Sequence, residues 1–176
     1  MKAEKLELRR FQKTIDFLKK VEPDCKHILD LGVKNPLSEK LASLGYNVQN
    51  TMGEDLDLKP ESITKYKNAE VITAFEILEH LVSPFVLLRN LPANRLVATV
   101  PLKLWFVKSY RNLNDKFDWH YHEFEPWQFD MLLEKAGWEI VYSEKWTAST
   151  YQLGIRPILR LFYPRFYAVH AIRKRD

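Results

Sequence analysis

Ile28-Leu29-Asp30-Leu31-Gly32 is the stretch whose reading decides the fold. Apolar residues enclose one carboxylate in a run too short for a helix, and Gly32 bounds it sharply. Such a run reads as a buried strand of a parallel sheet, apolar on both faces because helices cover both. Asn35-Pro36 then opens a helix, with Asn as the cap and proline at the first helical position, where no hydrogen bond is given up. Leu37, Leu41 and Leu44 recur on one face of that helix, and Gly45 supplies a left-handed stop. With a further strand over 47–51 these segments make a βαβ unit. Ligands of such sheets bind beyond the carboxyl ends of the strands, which puts Gly32 where a ligand would be met.

Outward from this unit the same alternation continues. Upstream, Leu8, Phe11, Ile15 and Leu18 lie at helical spacing in 5–20, an amphipathic helix laid against the sheet or over its crevice and ended by Pro23. Downstream comes an acidic turn over 52–58, then a short helix from Pro60 with Ile63 and Tyr66 inward. A buried strand over 70–75 leads into Glu76-Ile77-Leu78-Glu79-His80. Ser83-Pro84 repeats the cap-plus-proline signal before Phe85, Leu88 and Leu91, and a strand over 95–100 is closed by Pro101. From 102 to 124 no period survives, yet Trp105, Phe106, Tyr110, Phe117, Trp119, Tyr121 and Phe124 crowd together. A loop this long inside a compact domain is usually functional, so it is read as a lid. Pro126 starts another helix, with Phe129, Leu132, Leu133 and Ala136 inward and Gly137 as its stop. Strands over 138–146 and 166–172 follow, separated by a short helix or an irregular excursion in 154–164. The pattern specifies an α/β, Rossmann-like doubly wound sheet, largely parallel, within one domain spanning 1–176. Its last two strands lack a crossover helix and are expected to be an antiparallel pair.

Composition narrows the class. A 46% hydrophobic content over 176 residues suits a globular domain with a sizeable core. Cys25 is the sole cysteine, which rules out an internal disulfide and fits a reducing cytoplasm. No apolar run approaches the length of a membrane span, and the first residues lead into charge rather than a signal peptide. The net charge of +4 gathers toward the C-terminus, where Arg156, Arg160, Arg165, Arg173, Lys174 and Arg175 alternate with aromatics. The expectation is an edge strand guarded by charge, with at most weak contact to an anionic surface and no nucleic-acid partner.

Five segments carry a resemblance. They are 28–32 with its helix, Ala74 to Leu81, Val100-Pro101, His120-Tyr121-His122-Glu123-Phe124 and Leu132 to Trp138. Together they resemble class I S-adenosylmethionine-dependent methyltransferases over about 28–146, nearest to the small-molecule branch that includes quinone-biosynthesis O-methyltransferases. The resemblance implies S-adenosylmethionine as cofactor and methyl transfer to a small apolar or aromatic acceptor. It implies that Asp30 and Gly32 meet the methionine part and that an acid ending the second strand takes the ribose. Glu76 and Glu79 fall in the same cofactor region. A glycine permits close backbone approach, and a carboxylate accepts from hydroxyls. The chain departs from the pattern in three places. Val33, Lys34, Asn35 and Pro36 stand where further glycines are usual, Asn50-Thr51 replaces the ribose acid, and 53–69 is too short for a further helix-strand-helix. Glu54, Asp55 and Asp57 are the nearest substitutes for the acid, and an edge strand is expected to be missing.

His80, His120 and His122 are expected at the mouth of the sheet, where strands ending near Phe75 and Val100 lie side by side. If His120-Tyr121-His122 is extended, both imidazoles point the same way and either could take a proton from a hydroxyl acceptor. A metal site of these histidines with Glu123 is the competing use, but spacing alone supports it slightly and no metal is assigned. The plainer roles are pinning the loop for the histidines, accepting backbone amides for Asp30 and Glu79, and a solvated turn for Glu54, Asp55 and Asp57. A non-catalytic protein that binds a ligand or partner in the crevice stays open beside the enzyme. A nicotinamide-dependent oxidoreductase does not, because the Gly-x-Gly-x-x-Gly fingerprint is absent.

Overall fold

Alternate residues of the inner strands send apolar side chains to opposite faces of one sheet. The computed structural model describes residues 2–108, 110–115, 118–148 and 155–174; Phe117, Gly154, Arg175 and the side chain of Arg156 lie outside the described residues. The strands are β1 (His27–Asp30), β2 (Asn47–Asn50), β3 (Val71–Phe75), β4 (Arg95–Pro101), β5 (Trp138–Thr147) and β6 (Pro164–Arg173). They stand in the order β2-β1-β3-β4-β6-β5. The first four are parallel, and β6 runs antiparallel to both β4 and β5. Between β2 and β3 lies only the short 3₁₀ helix Pro60–Lys65, so β2 forms the sheet edge and the expected further strand is missing.

Helices α1 (Lys2–Val21) and α2 (Pro36–Ser43) cover one face, and α3 (Pro84–Asn90) and α4 (Pro126–Lys135) the other. Ile15, Phe17, Leu18 and Leu41 pack on Ile28, Val71, Val97 and Ala168. Leu87, Leu88, Phe129 and Leu133 pack with Leu29, Ile72, Leu96 and Val169. Adjacent residues such as Ile28 and Leu29 thus serve different layers, which is why β1 is apolar throughout. Asn35 caps α2 through its side chain, accepting from the Leu37 and Ser38 amides, while Ser38 Oγ accepts from the Asn35 amide. Gly45 and Gly137, at φ of +96° and +89°, end α2 and α4 as expected. Among the described residues no helix is long and apolar enough to cross a membrane.

Three expectations are corrected. Leu8 is 58% exposed, and Leu44 is exposed too, because the buried face of α1 is centred on Thr14, Ile15, Phe17 and Leu18 and α2 ends before Leu44. Ser83 does not cap α3 with its side chain; instead the Val82 and Ser83 amides each donate to the Asp57 carboxylate at 2.8 Å. Of the two alternatives for the segment between the last strands, the short helix is the one formed, α5 (Ile155–Phe162). Finally, β6 is no guarded edge: it lies between β4 and β5 with Tyr167, Ala168, Val169 and Ala171 buried, and β5 is the edge. Its cations turn inward instead. The Arg165 guanidinium donates to the Leu102 carbonyl at 2.5 Å. That of Arg173 lies 4.0 Å from the Trp138 ring centroid and donates to the Leu88 and Leu91 carbonyls at the end of α3.

One buried carboxylate ties the end of α1 to the sheet. Glu22 accepts from Arg95 at 2.6 Å and meets His170 Nε2 at 2.8 Å, which joins α1 to β4 and β6. Replacing it leaves both partners without their acceptor, so Glu22→Ala is expected to cost about 2 kcal/mol. Urea denaturation should show a lowered midpoint with an unchanged slope. An unchanged midpoint would show that α1 is held by apolar packing alone.

Candidate functional site

From β1 the chain turns outward to β2 and then returns to β3 on the other side of β1. The connections that leave the carboxyl ends of β1 and β3 therefore run to opposite sides, and a crevice opens at this reversal. A cleft of about 180 Å³ lies there, between Asp30, Asn35, Glu76 and Thr99 on the sheet side and Arg10 and Phe11 of α1. Asp30 is 3% exposed and accepts from Thr73 Oγ1 at 2.6 Å and Asn50 Nδ2 at 3.0 Å. Burial pushes its carboxyl up to about 6, against those hydrogen bonds. Gly32 turns the chain at φ +100°, its amide donating to Thr51 Oγ1 at 2.8 Å and its carbonyl accepting from Asn50 at 3.3 Å. A Cβ there would meet Ile77 Cδ1 at 3.1 Å, in a backbone conformation that side chains rarely adopt.

The acidic turn serves a different purpose from the expected one. Glu54 pairs with Lys65 and accepts from the Met52 amide and the Tyr66 hydroxyl; the lysine first of all holds its carboxyl down at about 2. Asp55 accepts from the amides of Asp57 and Leu58, and Asp57 holds the amides ahead of α3. None of the three lines the cleft. Of the cofactor residues expected from sequence, Asp30 and Glu76 do and Glu79 does not, while Asn50 at the end of β2 bonds both Asp30 and the Gly32 carbonyl.

Glu76 and Glu79 follow β3. Glu76, at φ +54°, is the one non-glycine in the left-handed region among the described residues. Its Oε2 lies 3.5 Å from Arg10, and its buried Oε1 has no hydrogen-bond partner. Burial raises its carboxyl, partly offset by Arg10. Glu79 is 1% exposed with Oε2 unpartnered, and burial followed by the Glu76 charge pushes its carboxyl well up.

His80 and His120 are brought together, their rings edge to face with centroids 4.7 Å apart. The Tyr110 ring covers His120 at 4.8 Å. Burial first, and His80 second, depress the His120 imidazole to about 4, so it is neutral near pH 7. His122 goes elsewhere: it stacks on Phe124 at 5.4 Å, with Nε2 3.3 Å from the Val82 carbonyl. The expected extended run is broken by a bend at Tyr121, because the Tyr121 and His122 amides both converge on the Glu79 carbonyl, at 2.8 and 3.2 Å. Trp105, Tyr110 and Trp119 line neither this cleft nor the larger pocket beside it, and α1 supplies the cover. Trp105 is 72% exposed against Phe106 and Tyr163, while Trp119 donates to the Asn112 carbonyl and stacks under Arg111.

That larger pocket, about 410 Å³, was not foreseen. Leu6, Trp146 and Phe166 give it apolar walls, and Arg9, Arg10, Lys13, Arg160 and Arg165 are its cations. Glu7 and Arg10 line both it and the cleft, so the two adjoin under α1. The legible signal was the recurrence of basic residues at 9, 10 and 13 and again at 160 and 165, which spacing alone does not bring together.

No protein-family model matches the chain, and no curated protein matches it in sequence. Solved structures do match in fold. A methyltransferase dependent on S-adenosylmethionine from Archaeoglobus fulgidus has a TM-score of 0.58 at 16% identity, covering 93% of this chain and 94% of its own. The 1,6-didemethyltoxoflavin-N1-methyltransferase of Burkholderia thailandensis, solved with 1,6-didemethyltoxoflavin and S-adenosylhomocysteine, has a TM-score of 0.63 at 15% identity over 94% and 78% of the two chains. Magnesium protoporphyrin IX methyltransferase from Synechocystis PCC 6803, with S-adenosylhomocysteine bound, reaches 0.60 at 14% over 96% and 84%. This chain has the fold of class I S-adenosylmethionine-dependent methyltransferases.

The buried Asp30 makes stability depend on pH in an uncommon direction. Its folded value, about 6, lies above its ordinary 3.8, so its contribution is complete below about pH 4 and is lost as pH rises through 6. The difference amounts to about 3 kcal/mol. Asp30→Asn, compared with the parent by urea denaturation at pH 4.5 and pH 7, should gain relative stability at the higher pH. A constant difference between the two proteins would mean that Asp30 ionises normally.

Proposed function

We propose that this protein transfers a methyl group from S-adenosylmethionine to a small apolar or aromatic acceptor that carries an anionic group. The observation that carries the reading is the adjoining of two spaces at Glu7 and Arg10: the cleft at the strand reversal and the cationic, aromatic pocket. Neighbours of the same fold are solved with S-adenosylhomocysteine, which supports the choice of donor.

The residues present fit such a donor. The Gly32 turn next to the cleft has a positive φ and no room for a Cβ, which would press on Ile77, and the unpartnered Glu76 Oε1 is an acceptor for an ammonium or a hydroxyl. Asn50 spends its Nδ2 on Asp30 and Gly32, which leaves Oδ1 as a ribose contact in place of the usual acid. Glu54, Asp55 and Asp57 have no part in this reading. When bound, the donor supplies an electrophilic methyl on a sulfonium centre. The protein's share is alignment: Trp146 and Phe166 hold the apolar body of the acceptor while Arg165, Lys13 and Arg160 hold its charge. Glu79, His80 and His120 stand together beyond β3 and line neither space, so this reading gives them no step in the transfer.

Calorimetry with S-adenosylhomocysteine tests this. The parent should bind one equivalent, and Gly32→Ala should weaken binding more than about tenfold, or 1.4 kcal/mol, while its circular dichroism spectrum stays unchanged. Absence of binding by the parent would sink the reading. Binding without methyl transfer to any anionic aromatic acceptor would point to the non-catalytic use of the same crevice.

A further inference from the structure

We propose that Glu79, His80 and His120 hold a divalent transition-metal ion. One carboxylate oxygen and one nitrogen from each imidazole lie within 4.8 Å of one another. An ion bound at about 2.1 Å in tetrahedral geometry needs donors about 3.4 Å apart, so the three side chains would close in on it by rotation. This set differs from the one weighed in the sequence, because His122 is drawn away to Val82 and Phe124.

Three further observations converge on the same point. Glu79, 1% exposed, leaves Oε2 without a hydrogen-bond partner, and buried His120 Nδ1 has none either. Buried polar atoms of native proteins are nearly always satisfied, so two orphans beside each other ask for a shared occupant. His80 places Nδ1 at 3.0 Å from the Trp119 carbonyl, which assigns the ring proton to Nδ1. Its Nε2, 3.9 Å from Glu79 Oε1, then presents a lone pair to the cluster. A ligating histidine is commonly oriented by such a hydrogen bond from its other nitrogen. The frame is held as well: the backbone of Tyr121 and His122 is bonded to the Glu79 carbonyl, which locks the loop bearing His120 against the segment bearing Glu79 and His80.

Charge and donor type select the ion. Two neutral imidazoles and a carboxylate suit manganese, iron, cobalt or zinc better than calcium or magnesium, which prefer oxygen alone. Two positive charges would also balance Glu76 and Glu79, whose carboxylates otherwise repel one another in a dry site. Three protein ligands leave coordination positions open to water or to an oxygen of a bound molecule.

Binding is measured on the chelator-treated protein without any methyl donor, so its outcome is separate from that of the S-adenosylhomocysteine titration. Mn²⁺ is followed by loss of the free-ion electron paramagnetic resonance signal, and Co²⁺ by its visible absorption in the parent. The parent should take up one equivalent. Glu79→Gln, His80→Ala and His120→Ala should each weaken binding more than tenfold, with folding checked by circular dichroism, whereas His122→Ala should not. Failure of the parent to bind Mn²⁺, Co²⁺ or Zn²⁺ would overturn the proposal. So would a loss on His122→Ala equal to that on His120→Ala.

Discussion

A single buried carboxylate governs the top of the sheet. Asp30 ends β1 where the chain reverses direction across the sheet, and water is excluded from it. Thr73 approaches it from β3 and Asn50 from β2, so one side chain joins the carboxyl ends of three neighbouring strands. Because Asn50 also holds the Gly32 carbonyl, the turn beyond β1 is tied to the same group. Burying a carboxylate is unfavourable unless it is hydrogen-bonded, and these contacts are what make Asp30 tolerable at that position. The shape of the cleft follows from them.

The acids that follow β2 and those that follow β3 form two populations, and environment separates them. Glu54, Asp55 and Asp57 are satisfied by a lysine, a tyrosine and local amides, which close the turn after β2 and start α3. Glu76 and Glu79 are buried, near one another, and each keeps an oxygen without a partner. Satisfied carboxylates build a loop. Unsatisfied ones, with Glu76 at the cleft and held at a positive φ, concentrate strain and charge beyond β3.

Cations are distributed with the same logic. Arg173 and Arg165 give their donors to helix-end and strand-end carbonyls, so a tail that looks exposed in composition belongs to the core. Arg10 stands between the two spaces under α1, paired with Glu76 on one side and lining the larger pocket on the other. Turning α1 away would therefore remove the cover, a cation and the partner of a buried carboxylate together.

Local chemistry determined much of this protein without help from the fold. Apolar runs set the strands, Asn35-Pro36 and Pro126 set helix starts, Gly45 and Gly137 set helix stops, and the short 53–69 segment left no room for another strand. Each of these depends on neighbours within a few residues, which a linear pattern contains. Tertiary structure alone decided the rest. Inserting β6 between β4 and β5 depends on pairing across more than sixty residues to β4, such as Val97 with His170, and it turned an apparent edge into core. Whether Glu54 met a ligand or Lys65, and whether His120 or His122 met His80, rested on backbone amides competing for carbonyls and carboxylates. The larger pocket needed α1, β5 and β6 brought together from opposite ends of the chain. Hydrogen-bond competition and long-range strand order carry no period in sequence, so only the packed molecule could resolve them.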